Sequence, residues 1–85
     1  MIKKYRKKPV VVEAVQWLGN NFSELIEFIG GKEERDKIDI HSHGLYIKTL
    51  EGNMKVNDKD FVIKGVKGEF YPCKPDIFYE TYEEI

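Results

Sequence analysis

This chain has one cysteine, three prolines and a formal charge of only −1, and each shortage excludes something. A lone Cys73 rules out an internal disulfide framework and fits a reducing compartment. No apolar run approaches the length of a membrane span. The basic opening resembles the start of a secretory signal, but Glu13 interrupts the apolar residues after Val10–Val12 and no h-region follows. The expectation is a cytoplasmic protein without a membrane role. Near-zero net charge removes the general positive field with which nucleic-acid-binding domains gain most of their affinity. Catalytic motifs are missing too. The glycines of IKGVKGEF suit a hairpin turn better than a phosphate cradle, and no serine stands in a nucleophile-elbow context. The carboxylate pairs Glu33-Glu34, Asp58/Asp60 and Glu83-Glu84 fall in expected turns or termini, where charge is simply solvated. These absences argue against an enzyme, and no cofactor is expected.

What is present suits one small α+β domain over residues 1–85. A chain this short hides only about 60–65% of the surface its unfolded form exposes. Hydrophobic residues make up 41% of it, and charged residues, mixed in sign, another 34%. Five Tyr, five Phe and one Trp are many rings for so thin a core, since each buries roughly 150–250 Å².

KPVVVEAVQW, residues 8–17, is rich in β-branched residues and reads as a strand with Pro9 at its start. Asn21 and Glu24 resemble a capping box, with the Asn side chain accepting from the first turn of a helix. Phe22, Leu25, Ile26 and Ile29 form one apolar stripe, and Gly30-Gly31 supplies a left-handed exit. Residues 32–44 start irregular, with Ile38 and Ile40 marking a short edge strand. LYIKTL, MKV, FVIK and EFYPC then alternate with turns at 51–53, 57–60 and 65–68, a hairpin meander. From Pro75 the tail reads as a short helix followed by a strand. The fold class is therefore α+β, a mostly antiparallel sheet with one short helix packed on it. Its expected core is Val10, Val12, Val15, Trp17, Phe22, Leu25, Ile29, Leu45, Ile47, Val56, Phe61, Ile63 and Phe70.

Three groups of residues invite chemistry. Asp39, His41 and His43 alternate in DIHSHG, so an extended backbone would align two imidazoles and a carboxylate, a known metal set. The spacing is weak without further ligands, and a polar loop before Gly44 explains it as well. Cys73 beside Lys74 could have a lowered thiol pKa, but no general base lies near it in sequence. Lys3, Lys4, Arg6, Lys7 and Lys8 surround Tyr5, the mixture of cations and a stacking ring used to bind nucleic acid. The plainer reading is a solvated terminus, or one neutralised by Asp76, Glu80, Glu83 and Glu84 if the two ends run side by side.

The strongest candidate is GEFYPCKPDIFYETY. Phe70, Tyr71, Phe78, Tyr79 and Tyr82 cannot easily all enter one thin core, and two prolines stiffen the chain among them. Rigid rings beside Cys73, Lys74 and Asp76 resemble an interaction surface, although they could equally finish the core and seal a sheet edge.

IKTLEG, a short return strand, and then DFVIKGVKGEFYPCKPDIFYETYEEI resemble a widespread family of small phage and prophage proteins of unassigned activity. YRKKPVVVEAVQW is similar to the start of the same family. The likeness covers nearly the whole chain apart from 31–43. Many members carry a Gly-Asp turn before the FVIK-like strand, where this chain has Asn57-Asp58-Lys59-Asp60. The resemblance implies a phage accessory protein in the host cytoplasm and transfers no catalytic residues. The expected function is a non-catalytic binding module for a host or phage protein, contacting it through Phe70, Tyr71, Cys73, Lys74, Asp76, Phe78 and Tyr79. The alternative is a nucleotide or single-stranded nucleic-acid binder using Lys3, Lys4, Arg6, Lys7 and Lys8. A homodimer would be a further way to bury surplus rings.

Overall fold

Alternation and turn chemistry place the strands, and how the faces close is seen in a computed structural model that describes residues 1–85. Strand β1 (Glu13–Gln16) leads into helix α1 (Phe22–Phe28) and a 3-10 segment (Lys32–Lys37). Strands β2 (Ile38–His41), β3 (Gly44–Thr49), β4 (Gly52–Val56), β5 (Phe61–Lys64) and β6 (Phe70–Cys73) follow, and helix α2 (Pro75–Thr81) comes last. All pairings are antiparallel, but they form two three-stranded sheets, β1-β5-β6 and β2-β3-β4. The α+β class holds.

The meander is cut at residues 57–60. Val56 and Phe61 were expected to flank a hairpin turn, yet β4 and β5 do not pair. Lys59 is left-handed at φ 75°, and the Asp60 carboxylate accepts from Asn57 N–H at 2.9 Å. The turn is then captured from outside: Lys59 N–H donates to Trp17 O at 2.6 Å and Trp17 N–H to Asp60 O at 2.8 Å. Those bonds to the end of β1 carry the chain from one sheet to the other.

The sheets share a core of Trp17, Leu25, Ile26, Ile29, Ile38, Leu45, Ile47, Val56, Val62 and Phe70. The expected list missed Ile26, Ile38 and Val62. It wrongly included Val10, which is 42% exposed, and Val12, which is half-buried. Both errors have one cause. The strand expected over 8–17 pairs only from Glu13, because β5 ends at Lys64 and offers no partner further back. Val15, Phe22 and Phe61 are partly buried.

Helix α1 buries Leu25 and Ile26 and closes as expected of a Gly-Gly exit. Gly31 N–H donates to Ile26 O at 2.8 Å and Gly30 N–H to Glu27 O at 3.2 Å, a Schellman arrangement with φ of 122° at Gly30 and 89° at Gly31. Its start departs from expectation. Asn21 makes no side-chain bond to the helix N–H groups. Its Oδ1 accepts from Leu18 N–H at 2.8 Å, while Nδ2 donates to Gln16 O at 2.8 Å and Glu24 Oε1 at 2.7 Å. The side chain ties the helix start to the exit of β1 instead of capping it.

Candidate functional site

Register divides β1-β5-β6 into two faces. Val15, Val62 and Phe70 point to the shared core, whereas Ala14, Gln16, Phe61, Ile63, Tyr71 and Cys73 point away from it. Ile63 is only 1% exposed although it lies outside the main core cluster, so something else covers this outer face. That cover is α2.

The helix starts where sequence chemistry places it. Lys74 is extended, Pro75 opens the first turn with its fixed φ, and Asp76 favours the helix N-terminus. Phe78 N–H donates to Lys74 O and Tyr82 N–H to Phe78 O, both at 2.9 Å. Phe78 and Tyr82, four residues apart, share one side of the helix. Phe78 stacks on Phe61 with centroids 3.8 Å apart and planes 7° off parallel. Tyr82 lies 5.1 Å from Phe78, and Tyr79 meets Phe61 edge-on at 5.5 Å. The strand expected after this helix does not form; Tyr82 is extended, but residues 82–85 pair with nothing.

The rings proposed as one surface therefore have three fates. Phe70 belongs to the core at 6% exposure, edge-on to Phe28 at 5.6 Å, and cannot face a partner. Tyr71, Phe78 and Tyr82 are half-buried between sheet and helix. Tyr79 remains 65% exposed and Ile77 50%, and Lys74 and Asp76 are exposed at the head of the same helix.

Burial and the neighbouring Tyr82 side chain push the Tyr71 phenol from the ordinary 10.0 up to about 12, with the charges of Glu69 and Cys73 adding to the shift. The fold thus holds this phenol protonated. Its stabilising contribution is complete below about pH 10 and is lost as pH rises through about 12, since the unfolded chain releases that proton first. In alkaline titration followed at 295 nm, the difference between wild type and Tyr71→Phe should show a phenol ionising near 12, and Tyr82→Phe should lower that midpoint. A midpoint unmoved by Tyr82→Phe would mean the two side chains are not in contact.

Cys73 is half-buried. Burial raises its thiol above the ordinary 9.0, and the Asp60 and Asp76 carboxylates raise it further. The neighbouring Lys74 does not win, so at neutral pH this is a protonated thiol and a poor nucleophile.

The metal trio does not assemble. No three His, Cys, Asp or Glu side chains are placed to hold an ion. The strand ends at His41, and a two-residue turn puts His43 outside the alternation that would have aligned it. The imidazoles of His41 and His43 stack on each other at 5.5 Å, with Tyr46 against both. Asp39 instead accepts a long 3.5 Å bond from Asn53.

The basic and acidic ends do meet. A groove of about 970 Å³ is bordered by Lys7, Lys8 and Val10–Val12 on one side and by Phe78, Tyr79, Tyr82 and residues 83–85 on the other. Lys7 Nζ sits over the Tyr82 ring, 5.3 Å from its centroid, but no ion pair joins the two ends; the one salt bridge is Lys37–Glu34 at 3.3 Å. Lys3, Lys4 and Arg6 are exposed and lie outside this groove. Strand alternation was the signal that could have separated Tyr71 from Phe70 in advance, but which face meets the core, and Phe61's place on the Tyr71 face, depend on which strands pair. No protein-family model, no curated protein and no solved structure matches this chain, and no helix is long and apolar enough to cross a membrane.

Proposed function

We propose that this protein is a non-catalytic binding module, a phage or prophage accessory protein that engages a host or phage protein in the host cytoplasm. The observation that carries the reading is Tyr79, a large ring left 65% exposed on a helix anchored by the Phe61–Phe78 stack. An amphipathic ring held by a rigid backing loses little entropy on contact. Glu83 and Glu84 line the same groove as Tyr79 and Asp76 and Glu80 are exposed on its helix, so the matching partner surface is an apolar pocket with a basic rim. The phage setting rests on the resemblance of the opening and closing segments.

Affinity capture from infected cells tests this. Wild type should retain a partner that Tyr79→Ala with Ile77→Ala loses by at least about tenfold, the usual weight of a buried aromatic anchor, with an unchanged circular dichroism spectrum. Lys74→Glu should weaken capture if the contact reaches the head of the helix. Retention of the same proteins by the double variant would rule this surface out. Tyr71 does not serve for this test, because it is half-buried between sheet and helix and its truncation would disturb the fold.

A second reading is a nucleotide or single-stranded nucleic-acid binder, favoured by Lys7 and Lys8 facing the rings across the groove. Glu83 and Glu84 line the same groove and oppose a phosphate, which ranks this reading second. Calorimetry with mononucleotides, cyclic nucleotides and short single strands at low salt decides it: heat that disappears in Lys7→Ala with Lys8→Ala would promote it, and a flat trace would remove it.

A further inference from the structure

Sheet β2-β3-β4 has two unlike faces. Register sets Asp39, Tyr46 and Lys55 abreast on neighbouring strands, with His41 opposite Gly44. Ile38, Leu45, Ile47 and Val56 alternate with them and are buried in the core, so the first set stands on the outer face. Tyr46 is half-buried there, while His41, His43 and Lys55 are exposed. Tyr46 meets both imidazoles edge-on, backing a His41–His43 stack whose planes are 11° from parallel.

Gly44 brings Lys55 to the same end of the sheet. This glycine has φ 149°, and a Cβ on it would come within 2.7 Å of Lys55 Cε and 3.4 Å of Nζ. The lysine stem therefore lies across the bare glycine and carries its ammonium to the place where Gly44 pairs with His41. Asp39 is engaged with Asn53, and no carboxylate forms an ion pair with Lys55, His41 or His43. These three side chains border a cavity of about 690 Å³ with Trp17 in its wall. Small-ligand clefts span about 300–1,000 Å³. The one carboxylate among its lining residues, Asp58, packs against Gly19.

We propose that this cavity binds a nucleoside monophosphate, its phosphate taken by the Lys55 ammonium and its base stacked on the His41–His43 pair. An ammonium with no ionic partner is a charge-assisted donor for a phosphate oxygen, and the imidazole N–H groups are further donors. Two flat rings already held parallel offer a base a π-face with little ordering left to do. A nucleotide meets both the unpaired cation and the rings, whereas a simple anion would use the cation and leave the rings idle. The site shares no residue with the groove beside α2, so it stands independently of both readings above.

Titration of isotope-labelled protein at fixed pH, with the imidazole ring protons followed by NMR, tests this. Adenosine and guanosine monophosphates should shift the His41 and His43 signals saturably, and Trp17 fluorescence should change in step because Trp17 lines the cavity. The matching nucleosides and inorganic phosphate should each bind at least about tenfold more weakly, since each lacks one of the two contacts. Lys55→Met keeps the stem and removes the charge, and His43→Ala removes half of the stack; each should weaken binding by about tenfold. Both residues are exposed, so both variants should keep the wild-type circular dichroism spectrum. Lys7→Ala with Lys8→Ala should bind as wild type does, which separates this site from the groove beside α2. Imidazole signals that neither nucleotide moves, full affinity in Lys55→Met or His43→Ala, equal binding of nucleoside or inorganic phosphate, or loss of binding in the Lys7 and Lys8 variant would each overturn the proposal.

Discussion

Ile47→Ala is expected to remove a large share of the chain's stability. Ile47 is 0% exposed at the centre of β3, with Ile38 and Met54 opposite it on the flanking strands. Truncating a fully buried Ile removes its transfer free energy and leaves a cavity, together about 2–5 kcal/mol. A domain of this size has in all about 4–13 kcal/mol of stability, and its thin core has few neighbours able to collapse into the gap. Urea denaturation followed by Trp17 fluorescence measures the change, because Trp17 is part of the same core cluster. Ile47→Val should cost only about 0.5–1.5 kcal/mol. An alanine variant within about 1 kcal/mol of wild type would mean that the two sheets do not close on Ile47.

Phe78→Ala is expected to release α2 while leaving the main core standing. The helix has seven residues and none of them is fully buried, too few for independent stability. What holds it is the Phe61–Phe78 stack with Tyr82 beside it. Because Phe78 is half-buried, the loss should be roughly 2 kcal/mol, below the range for a fully buried Phe. Three readouts should move together: chymotryptic cleavage within residues 77–82 should accelerate, Ile63 should become solvated, and the Tyr71 phenol should drop from about 12 toward its ordinary value. The Trp17 signal should change little, since Trp17 lies across the sheet from the helix. Global unfolding instead would show that α2 and the core form one cooperative unit. Any loss of partner capture by this variant would reflect displacement of Tyr79 along with the helix.

These effects mark where local patterning was sufficient and where it was not. Alternating residues and turn chemistry placed β3, β5 and β6 within a residue or two, and the Phe22–Ile29 stripe with Gly30-Gly31 placed α1, because side-chain period and glycine's left-handed freedom are local properties. The Pro75-Asp76 pair likewise marked the start of α2. Val10 and Val12 misled because a β-branched run favours extension whether or not a neighbour exists to pair with it. Asn21 misled because its side chain found nonlocal partners at Leu18 and Gln16. The aromatic surplus near the carboxyl end was legible, but its sorting was not. Alternation alone puts the adjacent Phe70 and Tyr71 on opposite faces, but which of those faces meets the core depends on which strands pair.

Composition and periodicity alone thus established the α+β class, the places of α1, β3, β5, β6 and the start of α2, and the excess of rings, since each depends on residues within a turn or a strand of one another. The split into two sheets, the second small aromatic core beneath α2 and the exposure of Tyr79 arose from long-range pairing. Trp17 takes the backbone of a turn more than forty positions away, and Phe78 meets Phe61 across a hairpin. A register that couples distant strands assigns every side chain to a face, and no local period encodes which distant strand that will be.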